Sequence, residues 1–290
     1  MQRPRKLLIC SLTIPLAAFG LLIGAGAGTA ASASTSSGAS SPAPAGATAL
    51  ALSAIKSLTV GQHATDQRTG STRSGISGLT QVQSTNWSGY ADTGSGFSTV
   101  TGSWTEPSGK CSGVSEALAA FWVGIDGYSS SSVEQDGTIL ECYLGGAYQF
   151  SWWEMYPTND IQVVGESVAA GDHISASVVR TGTSYRLAVT DSTHTANSFS
   201  TTQTCSSCAN TSAEWIAEAP SGSSGVEPLA NFGTWTESGA TVVAGSTHGV
   251  ISSFTDDEIT MIDSSGLVKA QPGSLNSSGN GFSVTFERST

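Results

Sequence analysis

The sequence predicts an all-β protein, an antiparallel sandwich of two sheets, and three observations predict it. Helix-period patterns are nearly absent, whereas period-2 segments bounded by Gly, Ser, Thr, Asn and Asp recur. One fuller apolar run, Ala117–Val123, fits a strand covered on both faces. Many short strands separated by turn residues favour two stacked antiparallel sheets over any layered helical architecture. The clearest strands are Val100–Trp104, Ile174–Val178, Tyr185–Val189, Ser212–Glu218 and Phe282–Phe286. Asp256-Asp257-Glu258 reads as the cap of a short turn before Ile259–Ile262.

In chain order, residues 1–33 come first. They have a basic start (Arg3, Arg5, Lys6), an apolar run from Leu7 to Ile23 and small residues ending at Ala31-Ser32-Ala33. That is the pattern of a secretory signal peptide, and it implies an exported, extracellular protein. Residues 34–74 are rich in Ala, Ser, Thr and Gly, nearly free of aromatics, and too poor in apolar surface to fold alone. This stretch reads as a pro-segment or a flexible linker. It carries Lys56, Arg68 and Arg73 against one acid, Asp66, so it suits an electrostatic clasp on an acidic partner. Residues 75–290 hold all seven tryptophans and form the expected sandwich domain. A monomer is expected.

Beyond Arg73 there are five Lys and Arg against 21 Asp and Glu, a formal charge near −16. Nucleic acid and anionic membranes need basic patches, so neither is expected as a partner of the mature domain. Cys10 leaves with the signal, and Cys111, Cys142, Cys205 and Cys208 remain. An even number in an exported chain implies disulfides. The expected pairs are Cys111–Cys142 and Cys205–Cys208. The first closes the longer loop and stabilises by roughly 3–4 kcal/mol on the chain-entropy estimate. A zinc or redox role for Cys205-Ser-Ser-Cys208 lacks a second ligand pair and a βαβ context. No metal or other cofactor is expected.

The chemistry-bearing segments are Phe121–Gly137, Ser151–Pro157 and Ala213–Glu218. Strand alternation puts Trp122, Gly124 and Asp126 on one face, likewise Trp152, Glu154 and Tyr156, and likewise Glu214, Ile216 and Glu218. A core would fill such positions with Val, Leu and Ile, not with carboxylates. His173, His194 and His248 lie in no metal pattern and there is no GxSxG elbow, which lowers serine, cysteine and zinc hydrolase readings. What remains is a half-buried carboxylate, Glu218, able to act as a general base on water, and an amide, Gln135, able to stabilise an oxyanion. The pair could hydrolyse an amide without an acyl-enzyme. A solvated strand-end Glu and a loop Gln facing water are the plain alternative.

Five motifs, Asn86-Trp-Ser-Gly89, Phe121-Trp-Val-Gly-Ile-Asp-Gly127, Val133-Glu-Gln-Asp-Gly137, Trp152-Trp-Glu-Met-Tyr-Pro157 and Ala213-Glu-Trp-Ile-Ala-Glu218, stand in this order. Together they resemble the glutamic peptidases, or eqolisins, over roughly Gln83 to Glu287. The resemblance implies a concanavalin-like jelly-roll sandwich, a Gln–Glu dyad at Gln135 and Glu218, and cleft residues Trp87, Asp126, Trp152, Glu154 and Tyr156. It further implies protein or peptide substrates, activity in acid, resistance to pepstatin, and synthesis as a precursor. Asp136 departs from the family pattern, and an acid so near the site is expected to alter its pKa values. The competing reading is a carbohydrate-active sandwich using Glu154 and Glu218, or a lectin-like module without catalysis. The first leaves Gln135 without a role, and the second should tolerate Glu218→Gln, whereas a peptidase should not.

Overall fold

Strands account for almost all regular structure in the computed structural model, which describes residues 49–51, 68–73, 80–222 and 224–290. The signal-peptide reading of residues 1–33 therefore lies outside the described residues. In chain order the strands are β1 (Arg68–Arg73), β2 (Thr80–Ser84), β3 (Trp87–Thr93), β4 (Phe97–Thr105), β5 (Glu116–Asp126), β6 (Val133–Tyr143) and β7 (Gly146–Tyr156). Then follow β8 (Asn159–Ser167), β9 (His173–Thr181), β10 (Ser184–Asp191), β11 (Phe199–Thr204) and β12 (Ser212–Glu218). A two-residue ribbon of β13 (Ser221–Gly222) and β14 (Gly225–Val226) leads to β15 (Thr234–Ala244), β16 (Thr247–Gly249), β17 (Thr255–Ile262), β18 (Val268–Pro272) and β19 (Phe282–Phe286).

The first sheet runs β1-β2-β17-β3-β12-β5-β6-β7-β8, and every neighbouring pair in it is antiparallel except β2 with β17. The second runs β11-β10-β9-β4-β15-β16. Strand β15 belongs to both. Thr234–Glu237 pairs with β19, which reaches the first sheet through β18, and Ser238–Ala244 pairs with β4 in the second. The expected antiparallel two-sheet sandwich is what forms.

The predicted doubly covered strand is β5, the centre of the first sheet. Its inner side chains, Ala117, Ala119, Phe121, Val123 and Ile125, join the inter-sheet core with Val100, Trp104, Val178, Leu187, Trp215 and Trp235. Phe121 stacks on Trp235 with ring centroids 5.6 Å apart, and the Trp215 indole N–H crosses to the Thr101 carbonyl at 2.8 Å. Its outer side chains, Leu118, Ala120 and Trp122, join a second apolar cluster with Trp87, Ile139, Phe150, Trp152 and Ile216. So this part of the outer face is buried like a core. Burying such aromatics contributes about 1.5–3 kcal/mol each.

Two features lie in the stretch that composition marks as linker or pro-segment. Arg68–Arg73 is a strand, paired with β2 through backbone hydrogen bonds that need no apolar side chain. Ala51 is buried and belongs to the outer apolar cluster that also holds Trp87, Trp122 and Trp152.

Both disulfides are present, Cys111–Cys142 with Cα atoms 5.0 Å apart and Cys205–Cys208 at 5.7 Å. Asp256-Asp257-Glu258 is not a turn cap. It lies within β17, where Tyr128 donates to Asp257 at 2.6 Å and Tyr90 to Glu258 at 2.9 Å, so the carboxylates find partners without leaving the sheet.

Candidate active site

The registers of β12, β5, β6 and β7 build the site row by row on the outer face of the first sheet. One row is Glu218, Ala120, Ile139 and Phe150. The next is Ile216, Trp122, Gly137 and Trp152, and the third is Glu214, Gly124, Gln135 and Glu154. Glycine is required at Gly137, where a Cβ would sit 2.0 Å from the Phe121 carbonyl oxygen.

Glu218 is 1 % exposed and is gripped by donors on two neighbouring segments. The Trp122 indole N–H donates to one oxygen at 2.9 Å and the Asn86 amide to the other at 3.5 Å. Asn86 is itself tied to the strand end, because Ala219 N–H donates to its carbonyl at 2.8 Å. Trp87 lies edge-on to Trp122, centroids 4.9 Å apart; its indole acts on Glu218 in the same sense, outside good hydrogen-bond geometry. Burial pushes the Glu218 carboxyl well above the usual carboxylate range, with the charge of Glu154 adding to it and the three donors opposing it.

Gln135 is fully buried, and its amide N–H donates to Glu154 at 2.6 Å. Burial raises Glu154 to about 8, against the pull of that hydrogen bond. The Gln135 carbonyl oxygen and the second Glu154 oxygen have no hydrogen-bond partner among the described residues. Glu154 therefore fixes which way the amide turns. Gln135 and Glu218 share the face, on strands either side of β5 and offset by four residues along it, with Trp122 between the two rows. The carboxylate and the amide are thus both preorganised, each by its own partner.

A sequence profile of the Peptidase A4 family matches residues 85–284. The chain belongs to the Peptidase A4 family. It is similar to aspergillopepsin-2 of Aspergillus niger, 28% identical over 235 residues, which is 73% of this chain and 81% of that protein. It is also similar to scytalidopepsin B of Scytalidium lignicola, 35% identical over 138 residues, 46% of this chain and about half (51%) of that protein. Among solved structures, scytalido-glutamic peptidase with a transition state analog inhibitor matches with a TM-score of 0.60 at 25% identity, covering 70% of this chain and 98% of that one. Aspergilloglutamic peptidase from Aspergillus niger matches at 0.51 and 26%, covering 59% and 99%. The chain is a peptide-bond hydrolase of the glutamic peptidase type. This membership replaces the carbohydrate-active and lectin-like readings.

In this A4 peptidase the remaining sequence candidates fall in several places. Trp152 is on the site face beside Gly137, and its indole N–H has no partner among the described residues. Tyr156 ends the same strand, half-buried, before a cis bond to Pro157. Asp126 acts on a turn: at φ 70° its carboxylate accepts from Asn210 N–H at 2.7 Å and from Thr211 N–H at 2.9 Å, holding the turn that enters β12. Asp136 corrects an expectation. Strand alternation turns it to the inner face, toward Ser177, Ala188 and Arg186 of the second sheet, so it does not act on the dyad. Trp122 and Asn86, which hold Glu218, are site residues beyond the sequence candidates, although both stand inside the motifs and alternation puts Trp122 on the site face. The buried Asp172 and Asp191 cluster with the exposed His194, but backbone and side-chain donors already engage both carboxylates, and Cys205 and Cys208 beside Glu134 are disulfide-bonded.

Proposed function

We propose that this peptidase is an exported acid endopeptidase in which Glu218 activates the attacking water and Gln135 stabilises the oxyanion. The observation that carries this reading is the pair of holds on one face, Trp122 on Glu218 and Glu154 on Gln135. Glu218, ionised, takes a proton from water as its oxygen adds to the scissile carbonyl. The carbonyl oxygen becomes an oxyanion, to which the Gln135 N–H donates. Glu218 then gives its proton to the departing amine nitrogen and the C–N bond breaks. No covalent enzyme intermediate is needed.

A base must be ionised to work, and the largest cause of the raised Glu218 carboxyl is burial. Glu218, Gln135 and Glu154 are all buried, and Ala51 belongs to the apolar cluster on the same face. This supports reading residues 34–74 as a pro-segment whose removal hydrates Glu218 and returns it toward the ordinary range near 4. Holding the secreted full-length chain at about pH 3–4, where Asp and Glu titrate, is expected to give a new N-terminus between about Gly70 and Thr85. The Glu218→Ala chain should stay unprocessed under the same conditions. Normal processing of purified Glu218→Ala would exclude self-cleavage.

The reading is tested by digestion of unfolded protein set beside glycan hydrolysis. Expected is proteolysis with an optimum at about pH 2–5, where carboxylates but not histidine can serve as base. Activity should withstand EDTA, serine-directed reagents and pepstatin. An optimum at pH 7 or above, or full loss with EDTA, would overturn it.

A further inference from the structure

Glu214 has no part in the mechanism above, yet it occupies the third row of the site face. It lies on the same side of β12 as Ile216 and Glu218, opposite Gly124, and the row continues to Gln135 and Glu154. Gly124 has no side chain, and the Trp122 ring lies over it between Glu214 and Gln135. A Cβ at Gly124 would stand 2.8 Å from the Trp122 ring and 3.2 Å from the Gln135 Cβ, so no other residue fits without displacing both.

Glu214 is fully buried, and neither of its oxygens has a hydrogen-bond partner among the described residues. The Ser212 hydroxyl, two residues back on the same face, acts on it in the lowering sense but outside good hydrogen-bond geometry. Glu106 sets the contrast: equally buried between the sheets, it accepts from Trp104, Thr138 and Gln149. A buried carboxyl left without partners is costly, and an unsatisfied group in a native structure calls for an explanation. Burial, with the charges of Asp126, Glu134 and Asp92, holds Glu214 well above the usual carboxylate range, so in acid it is a carboxylic acid. Its O–H and C=O then match the C=O and N–H of one extended residue, which point to the same side of a chain.

We propose that Glu214 is a subsite residue, its carboxyl group pairing with the substrate main chain on the Gln135 side of the scissile bond. The proposal rests on the Gln135–Glu218 reading. The test is steady-state kinetics of mature enzyme on two peptide series with one common scissile bond, extended stepwise toward the N-terminus or the C-terminus. For Glu214→Leu, the loss in kcat/KM is expected to grow along one series, by at least about tenfold from shortest to longest peptide, as for a site that hydrogen-bonds its substrate. It should fall mainly on KM. Glu214→Gln keeps a donor and an acceptor and should recover to within about threefold of wild type. If the Leu variant does not fold, Glu214→Met replaces it. A loss equal at every length, no loss at all, or no recovery by Gln would overturn the proposal. Glu218→Gln run in parallel separates the two readings, since activity retained there defeats the dyad whatever Glu214 does.

Discussion

Glu218→Gln is expected to lower peptide hydrolysis in acid by about 10²–10⁴-fold or more, the range for losing a general acid–base group. Gln135→Ala should cost about 10²–10³-fold, as for removal of one oxyanion donor. Because the two act on one transition state, the double variant should lose little more than the worse single one. Circular dichroism should report folded protein in each case. Trp122→Phe probes the hold rather than the base. Removing the indole donor, which favours the ionised carboxylate, raises the Glu218 pKa, so the acid limb of kcat/KM should move to higher pH. Glu218→Gln retaining more than about a tenth of wild-type turnover, against the range above, would end the assignment.

The second large effect is on stability. Burial raises Glu106 to about 7, Glu154 to about 8, and Asp92 and Glu134 to about 9; it holds Asp136, Glu214 and Glu237 well above their usual range. In each case the folded pKa lies above the unfolded one, near 4. Their stabilising contribution is therefore complete below about pH 4 and is lost as pH rises through the folded values. For Glu106 alone, from 4.5 to about 7, the loss is about 3 kcal/mol, a large part of the roughly 5–15 kcal/mol that holds a domain. Calorimetry should find Tm at pH 7.5 more than about 10 °C below Tm at pH 3.5. A Tm equal or higher at pH 7.5 would show that these carboxyls are not buried as described.

Period-2 alternation made much of the site legible, because β12 and β7 are regular and their rows follow from counting by twos. That is why Glu218, Glu154 and Trp152 fall on the expected face. Alternation also sent Asp136 to the other side, a step that sequence proximity to Gln135 concealed. Counting places Asp126 on the Trp122 face, but its positive φ turns the carboxylate to the turn before β12 instead. Asn86 and Trp122 escaped because a partner is defined by register between strands distant in sequence, which one strand's pattern does not contain. The β1 pairing escaped for another reason: main-chain hydrogen bonds leave no trace in composition.

Strand β15 leaves one layer and enters the other within a single run, with a break in register between Ser238 and Thr241 and Gly239 at φ 67°. The crossing is covalent, so the layers are two arms of one beam. Sliding one over the other would shear the Glu237 side chain from the Ser103 N–H it accepts at 3.0 Å, and would drag β4 and β19 together. Under load the two leaves are expected to share one breaking point instead of peeling apart. In amide exchange, the most protected residues of both should open at a single common rate.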